Sequence, residues 1–494
     1  MPLKLLIANR GEIALRIIRT CQKLGISTVL IYSDADHDSL PVSHADHTYR
    51  LKGVALRETY MNLPRIISAA RETGCDGIHP GYGFLSEDAF FARACEENSL
   101  IFVGPSSASM EKLENKLTAR KTMREVGIPV IPGSDTPVKN DDEAVTIAEE
   151  IGFPVILKAA YGGGGRGMRI VKSPAEIRRC FDLTRMEAIS SFGKGDMYIE
   201  KQLANPRHVE IQALAEKREH VVILGERECS IQRRHQKLIE EAPSIGISDV
   251  TRSALSAAAR KGLQASGYTN AGTVEFLVDA SGKFYFLEVN KRLQVEHLVT
   301  ELTTGIDIVE EQLSIAFESR LKLSQNDVKV RGWAINCRIN AEDPRSEFSP
   351  SPGKIIHYHP AAGPGIRVDS ALYSGYTVPE HYDSLIAKLA AHGRNREDSI
   401  RRMKGALNEL EIIGIPTTIP LHLLIMMDSQ FNAGKLTTTY LDSLEPKLRE
   451  SLARLEEEAA ALATANRAIR KPLKNTRVHR SSWRIPLQMH RQGV

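Results

Sequence analysis

Residues 290–297 read NKRLQVEH, and Arg292, Gln294 and Glu296 alternate along them. An extended backbone turns every second side chain to the same face. The spacing therefore predicts a guanidinium, an amide and a carboxylate aimed together. Arginine grips a small oxyanion through two N–H groups, glutamine adds a donor, and a glutamate with a poised pKa serves as a base. Just upstream, Glu275 and Glu288 fall on two predicted strands of a hairpin with Ser281-Gly282 at its tip, and Asn290 follows on the face of Glu288. Two carboxylates and an amide oxygen at one point suit Mg²⁺ bound to nucleotide phosphates. The competing reading is a pair of solvated acids on an open sheet face. His208 in RHVEIQ, with His235 and Lys237 in QRRHQK, adds donors for an anion. Electrostatic positioning of that kind supplies most of phosphoryl-transfer catalysis.

A glycine run, Gly162–Gly165, is followed by Arg166 within ILKAAYGGGGRGMRIV (156–171). Strand-like sequence flanks it on both sides. It lacks the G-K-[ST] ending and the helix of a Walker loop, and its ordered flanks set it apart from a linker. Glycines expose backbone N–H groups to phosphate oxygens; a bare hairpin turn is the alternative. Lys116 and Lys158 bracket this region as candidate phosphate contacts. The EKQL segment at 200–203 leaves its strand where backbone groups could meet an adenine edge.

These residues need a scaffold. A strand (4–9), a helix with Ile13, Ile17, Ile18 and Leu24 on one face, and a second strand (27–34) make a βαβ unit. It lacks G-x-G-x-x-G, so NAD binding has little support. A Gly/Pro-punctuated loop follows at 75–88, and IFVGPS (101–106) closes the sheet. Helices are predicted around 111–127, 142–151 and 396–410, and two strands joined at Asn205-Pro206 over 197–216. The expected domains are 1–110, 111–325 with a lid at about 130–203, and 326–445. A helical and basic extension, 446–494, ends the chain.

At 494 residues, with 26% charged and 42% hydrophobic residues, the chain has the balance of a soluble protein. No membrane span or signal peptide is visible, and a cytoplasmic location is expected. Six scattered cysteines without a CxxC pair argue against a disulfide framework or zinc knuckle. The net charge of +4 conceals a tail, 467–494, with eight Lys/Arg and no Asp/Glu. Docking to a protein partner, or an extension that does little, suits that tail better than nucleic acid, because the body has no basic signature.

Eight stretches in order make the chain similar to the biotin carboxylase family of the ATP-grasp superfamily. They are IANRGEIALRIIR, IHPGYGFLSE, FPVILKAAYGGGGRGMRIV, EKQLANPRHVEIQ, ERECSIQRRHQKLIEEAP, GTVEF, FLEVNKRLQVEH and CRINAEDP. The resemblance implies an α/β fold: an N-terminal βαβ domain preceding the ATP-grasp, an ATP-grasp domain with a glycine-rich lid, and a C-terminal α+β domain. It implies ATP contacts at Lys116, Lys158, Gly162, Gly163, Gly164, Gly165, Glu200, Lys201, Leu203, His208 and His235. Glu275, Glu288 and Asn290 match the Mg²⁺ (or Mn²⁺) end of the site. Lys237, Arg292, Gln294 and the Val295 backbone match the bicarbonate pocket, and Glu296 the base. Arg338 matches the cation that steadies the biotin enolate, and Tyr82, Gly83 and Glu87 lie where biotin should approach.

The implied reaction is ATP-dependent carboxylation of biotin N1 through carboxyphosphate. Biotin would arrive on a separate carrier protein, since no AMKM-like attachment motif is present, and a carboxyltransferase subunit would act in trans. A homodimer is implied. The family commonly reads NTRLQVEHPVTE; here Lys291 replaces Thr and Leu298 replaces Pro, and Asn336 stands where Glu is usual. The acceptor favoured is an acyl-CoA such as acetyl-CoA or propionyl-CoA, with pyruvate carboxylase as the alternative. Another ATP-grasp ligase working through an acyl phosphate, and a non-catalytic ATP-binding regulatory subunit, are the rival readings.

Overall fold

In the computed structural model the described residues are 3–161, 167–216, 220–444 and 450. The Gly162–Gly165 run, Arg166 and the 446–494 extension apart from Glu450 lie outside them.

Short apolar runs build the first sheet. Strands β1 (Lys4–Ile7), β2 (Ser27–Ser33), β3 (His47–Leu51), β4 (Gly77–His79) and β5 (Ile101–Phe102) are all parallel, in the order β3-β2-β1-β4-β5. Parallel strands covered on both faces read as unbroken apolar sequence, as Leu5, Leu6 and Ile7 do. The helix Gly11–Leu24 buries Ile13, Ile17, Ile18 and Cys21 and stops at Gly25, whose φ of 69° closes the last turn. Part of the predicted 75–88 loop is therefore strand: Gly77–His79 is central in the sheet.

A smaller sheet follows. Strands β6 (Val155–Ala159), β7 (Met168–Val171) and β8 (Met197–Lys201) pair antiparallel in the order β7-β6-β8. The helices Asp141–Ile151 and Pro174–Phe192 cover it, closing a core around Val155, Leu157, Ile177, Phe181 and Ile199. The helical stretch expected around 111–127 is two helices, Ser107–Glu114 and Lys116–Glu125. Asn115 breaks them because its side chain accepts from the N–H groups of Leu117 and Thr118.

The site rests on the third sheet. It contains β9 (Arg207–Ala215), β10 (Val221–Arg233), β11 (Gln236–Ala242), β12 (Asn270–Val278), β13 (Phe284–Asn290) and β14 (Trp333–Asn340), then the strands Leu385–Gly393 and Ile366–Ser370. Its order is β13-β12-β9-β10-β11-β14, continued by 385–393 and 366–370. The strands on either side of Asn205-Pro206 are not partners: β8 pairs with β6, whereas β9 pairs with β10 and β12. The link at 202–206 thus joins two sheets. The sheet also crosses the boundary expected at 325–326, because β11 pairs with β14 at Ile239–Cys337 and Glu241–Ile335. All six cysteines are free, and no helix among the described residues is long and apolar enough to cross a membrane.

Candidate active site

Three acids lie in a row across neighbouring strands. Glu210 on β9 is in register with Glu275 on β12, and Glu275 with Glu288 on β13. Directly opposed residues on a sheet share a face. A lysine answers them from β11: Lys237 Nζ donates to Glu275 at 2.7 Å and Glu296 at 2.8 Å, and also to Glu210. His208 Nε2 is 2.9 Å from the other Glu275 oxygen, and Asn290 Nδ2 donates to Glu275 at 2.6 Å. Burial acts to raise the Glu275 carboxyl; Lys237 and His208 outweigh it and hold the group low. Glu210 and Glu275 are buried in a cation network, while Glu288 stays partly exposed beside Lys116.

The chain from Arg292 to Glu296 is not part of a strand. It leaves β13 at Asn290, turns, and enters the helix His297–Thr304, with Glu296 immediately before the first turn. No strand aligns Arg292, Gln294 and Glu296, and only the first two are bonded to each other. Arg292 Nη1 donates to Gln294 Oε1 at 3.0 Å. Arg338, on β14, donates through Nη2 to Glu296 at 2.9 Å and through Nε to Glu240 at 2.6 Å. Val295 sits half-buried between Gln294 and Glu296.

Glu296 has no solvent exposure. Burial alone would raise its carboxyl, but Lys237, Arg338 and Arg227 hold it well below the ordinary carboxylate range. It is therefore ionised and, with both oxygens engaged, a weak base. An oxyanion that drew the donors of Lys237 and Arg338 to itself would return basicity to Glu296.

Toward the smaller sheet, Lys116 Nζ is 3.2 Å from Glu288. The Glu200 carboxylate is held by Lys158 and by Arg120, the latter at 3.0 Å. Its side chain is committed, and the N–H groups of Lys201 and Gln202 donate to the carbonyls of Pro132 and Pro154 at 2.7 and 3.1 Å. Lys201 points away from the acids: its Nζ donates to the carbonyls of Gly152 and Phe153 at 2.8 and 3.0 Å. Leu203 lies half-buried on the link between the sheets. His235 occupies the exposed β10–β11 turn, where Arg234 and His235 have φ of 48° and 64°. On the opposite side, Tyr82 and Gly83 form the turn after β4. Glu87, further along, accepts from Arg292 Nε and from the Lys291 N–H, both at 2.9 Å.

Sequence alone does not single out four residues of the site: Glu210, Arg227, Glu240 and Arg120. Arg227 is fully buried; it binds Glu210, reaches Gln212 at 2.6 Å and Thr300 at 3.0 Å, and so ties β10 to the helix behind Glu296. The signal for Glu210 is its period-2 alternation with His208 and Gln212, which places all three on one face of β9. Two of the three departures in this region are also absorbed: Leu298 is buried in the first helical turn, and Asn336 donates to Glu240 at 2.7 Å.

Carboxylate and amide oxygens at Glu275, Glu288 and Asn290 make a donor set for a hard cation. Atoms of His208, Glu210 and Glu275 also lie within 4.8 Å of one another. The donor chemistry fits a divalent ion serving nucleotide phosphates, with Lys116 the cation that would give up its place on Glu288.

A strand-and-helix lid over an acid-lined sheet is the architecture of an ATP-dependent ligase, and the comparisons with known proteins agree with it. Residues 1–110 match the biotin carboxylase N-terminal domain, 115–324 the carbamoyl-phosphate synthase L chain ATP-binding domain, and 336–443 the biotin carboxylase C-terminal domain. Biotin carboxylase 1 of Bacillus subtilis is 50% identical over 443 residues, covering 90% of this chain and 98% of the relative. A pyruvate carboxylase subunit from Methanothermobacter thermautotrophicus is 46% identical, covering 92% of each chain. Among solved structures, the biotin carboxylase domain dimer of Hydrogenobacter thermophilus 2-oxoglutarate carboxylase, in complex with MgADP, ADP and bicarbonate, superposes with a TM-score of 0.88 at 47% identity. It covers 90% of this chain and 98% of that one. The chain belongs to the biotin carboxylase family.

Proposed function

We propose that this enzyme carboxylates N1 of biotin on a separate carrier protein, as the first half-reaction of a biotin-dependent carboxylase. The observation that carries the reading is the linked set Lys237–Glu296–Arg338, which joins a base to two cations in a water-poor pocket. ATP is held between the lid and the acids, by Lys116, Lys158, His208, His235, the backbone of 200–203 and Gly162–Gly165. Mg²⁺ or Mn²⁺ on Glu275, Glu288 and Asn290 supplies charge neutralisation at the phosphates. Lys237, Arg292, Gln294 and the Val295 N–H bind bicarbonate, and Glu296 takes its proton. The bicarbonate oxygen attacks the γ-phosphorus and ADP leaves, giving carboxyphosphate. Carboxyphosphate breaks to CO₂ and phosphate; the phosphate takes the N1 proton of biotin, and N1 attacks CO₂. Arg338 steadies the charge that develops on the ureido oxygen. Tyr82, Gly83 and Glu87 border the approach for biotin, and Glu87 is bonded to Arg292 in the pocket.

The test is incubation with ATP, Mg²⁺, bicarbonate and free biotin. Biotin-dependent ADP release is expected; its absence, with ATP still bound, would mean a regulatory role, and turnover indifferent to biotin another ATP-grasp ligase. The partners are a biotinylated carrier and a carboxyltransferase subunit, with the chain as a cytoplasmic homodimer. Acetyl-CoA or propionyl-CoA is the preferred acceptor; the similarity to a pyruvate carboxylase component supports pyruvate as the second reading. The proteins that co-purify with the chain separate the two. The basic 467–494 tail is assigned to partner docking.

A further inference from the structure

Lys388, on the strand Leu385–Gly393, is fully buried, an unusual state for a lysine. Its Nζ lies 3.0 Å from Glu12 Oε2, on the first helix of the N-terminal domain, and 3.8 Å from Asp369 Oδ2. Asp369 is already gripped by both arms of Arg367, at 2.9 and 2.8 Å. Lys388 Nζ and Glu12 Oε2 pair with each other at 3.0 Å, and neither group has a further hydrogen bond among the described residues. The same ammonium stands 5.5 Å from the centroid of the Tyr82 ring, within the range at which a cation is attracted to an aromatic face.

The backbone around Tyr82 is secured separately. Asn9 Nδ2 donates to the carbonyls of Pro80 and Tyr82 at 2.6 and 2.8 Å. Gly81, at φ +64°, comes so close to this amide that an added Cβ would sit 2.9 Å from Nδ2. Asn9 thus fixes the turn; the ring packs against the core that holds Leu5, Ile7 and Ile13 and has the Lys388 ammonium over it. Stability does not explain a charge in this place, because a buried ion pair is commonly no better than a well-packed apolar pair.

We propose that Lys388 and Glu12 are positioning residues for biotin: Glu12 places the Lys388 ammonium, and the ammonium holds the Tyr82 ring as one wall of the biotin approach. The assignment rests on the proposed function for its ligand, but the anchoring of the ring does not. Because Glu12 and Lys388 come from the first and last domains, the wall is complete only where those two domains are packed together.

The test uses the full chain carrying Lys388→Met, and Lys388→Met together with Glu12→Gln. The double variant leaves no buried charge unpaired, so its melting temperature is expected to stay near that of the parent. Nitration of Tyr82 by tetranitromethane, read by peptide mass, is expected to run several-fold faster in both variants. The KM for free biotin is expected to rise about tenfold, the loss of one cation–π contact. Bicarbonate-dependent ATP cleavage without biotin, and kcat, should stay within about twofold on the same grounds. Unchanged nitration in the double variant would overturn the anchoring. Faster nitration with an unchanged KM for biotin would overturn the link to biotin. A parent enzyme without biotin-dependent turnover would refute the proposed function and the ligand assignment together, with nitration still reporting on the ring.

Discussion

Lys237 Nζ and Glu296 Oε1 are 2.8 Å apart, and the same ammonium is 2.7 Å from Glu275. One cation therefore joins the carboxylate assigned to deprotonate bicarbonate to the carboxylate assigned to the nucleotide metal. Arg338 closes the arrangement from the other side of Glu296. Binding of an anion among these cations redistributes donors from the protein carboxylates to the substrate, and the basicity of Glu296 follows.

Glu296→Gln removes the base while keeping shape and one hydrogen-bond acceptor. Turnover should fall by about 10²–10⁴-fold, with ATP affinity nearly unchanged. Steady-state kinetics and nucleotide titration check this together; near-normal bicarbonate- and biotin-dependent cleavage would remove Glu296 from the role.

Lys237→Met strips the shared cation from Glu210, Glu275 and Glu296. Breaking a buried pair from one side costs about 3–5 kcal/mol. The sign with pH follows from the native carboxylates. Glu275 and Glu296 are held low, so in the parent their stabilising contribution is complete above the ordinary carboxylate range and is lost as pH falls below it. Without Lys237 their folded-state pKa values rise, so the deficit should be largest at neutral and alkaline pH and narrow in acid. Urea denaturation of both proteins across that range measures it; a deficit that grew toward acid would contradict the network.

Glu12 makes a second, opposite pH signature. Burial raises its carboxyl from 4.5 to about 7, against the pull of Lys388, while Asp369 adds to the rise and Arg367 opposes it. A folded-state pKa above the unfolded one contributes stability that is lost as pH climbs from about 4.5 through about 7. Glu12→Gln should flatten that slope, worth on the order of 3 kcal/mol across the window. Denaturation midpoints at pH 5 and pH 8 should differ less in the variant; an equal difference would show that Glu12 does not titrate there.

Gly133 passes so close to β8 that an added Cβ would meet the Ile199 carbonyl oxygen at 2.2 Å and the Glu200 Cα at 2.8 Å. Gly133→Ala should push β8 outward, costing about 1–3 kcal/mol and displacing Glu200 with its hold on Lys158. ADP affinity should fall together with melting temperature. Full ADP affinity in the folded variant would separate Glu200 from nucleotide binding.

The hairpin that carries Glu275 and Glu288 was legible, but their direct opposition was not: a bulge between Glu275 and Phe276 shifts the register set at the turn by one residue. The convergence expected of Arg292, Gln294 and Glu296 holds only between Arg292 and Gln294; Glu296, in the turn that opens the next helix, is held by Lys237 and Arg338. The Asn205-Pro206 link looked like a hairpin because local turn chemistry is the same whether the two strands pair or part. Here distant pairings, β6 with β8 and β9 with β12, decide. Arg227, Glu12 and Lys388 were illegible for a related reason. Nothing local separates a buried charge from an exposed one, and their partners lie on elements far away in the chain.

The pairing of β11 with β14 sets how this protein can be taken apart. A cut between 325 and 333 would follow the sequence boundary yet divide a hydrogen-bonded ladder. The N-terminal fragment would carry β11 as a raw edge, and the C-terminal fragment would carry β14 as another. Unpaired edges recruit strands from other molecules, so the two pieces would aggregate or re-pair with each other when made separately. Glu210, Glu275, Glu288 and Arg338 are thus held on one continuous sheet, and recombination among relatives would keep β11 and β14 from the same parent or lose the register that brings Arg338 to Glu296.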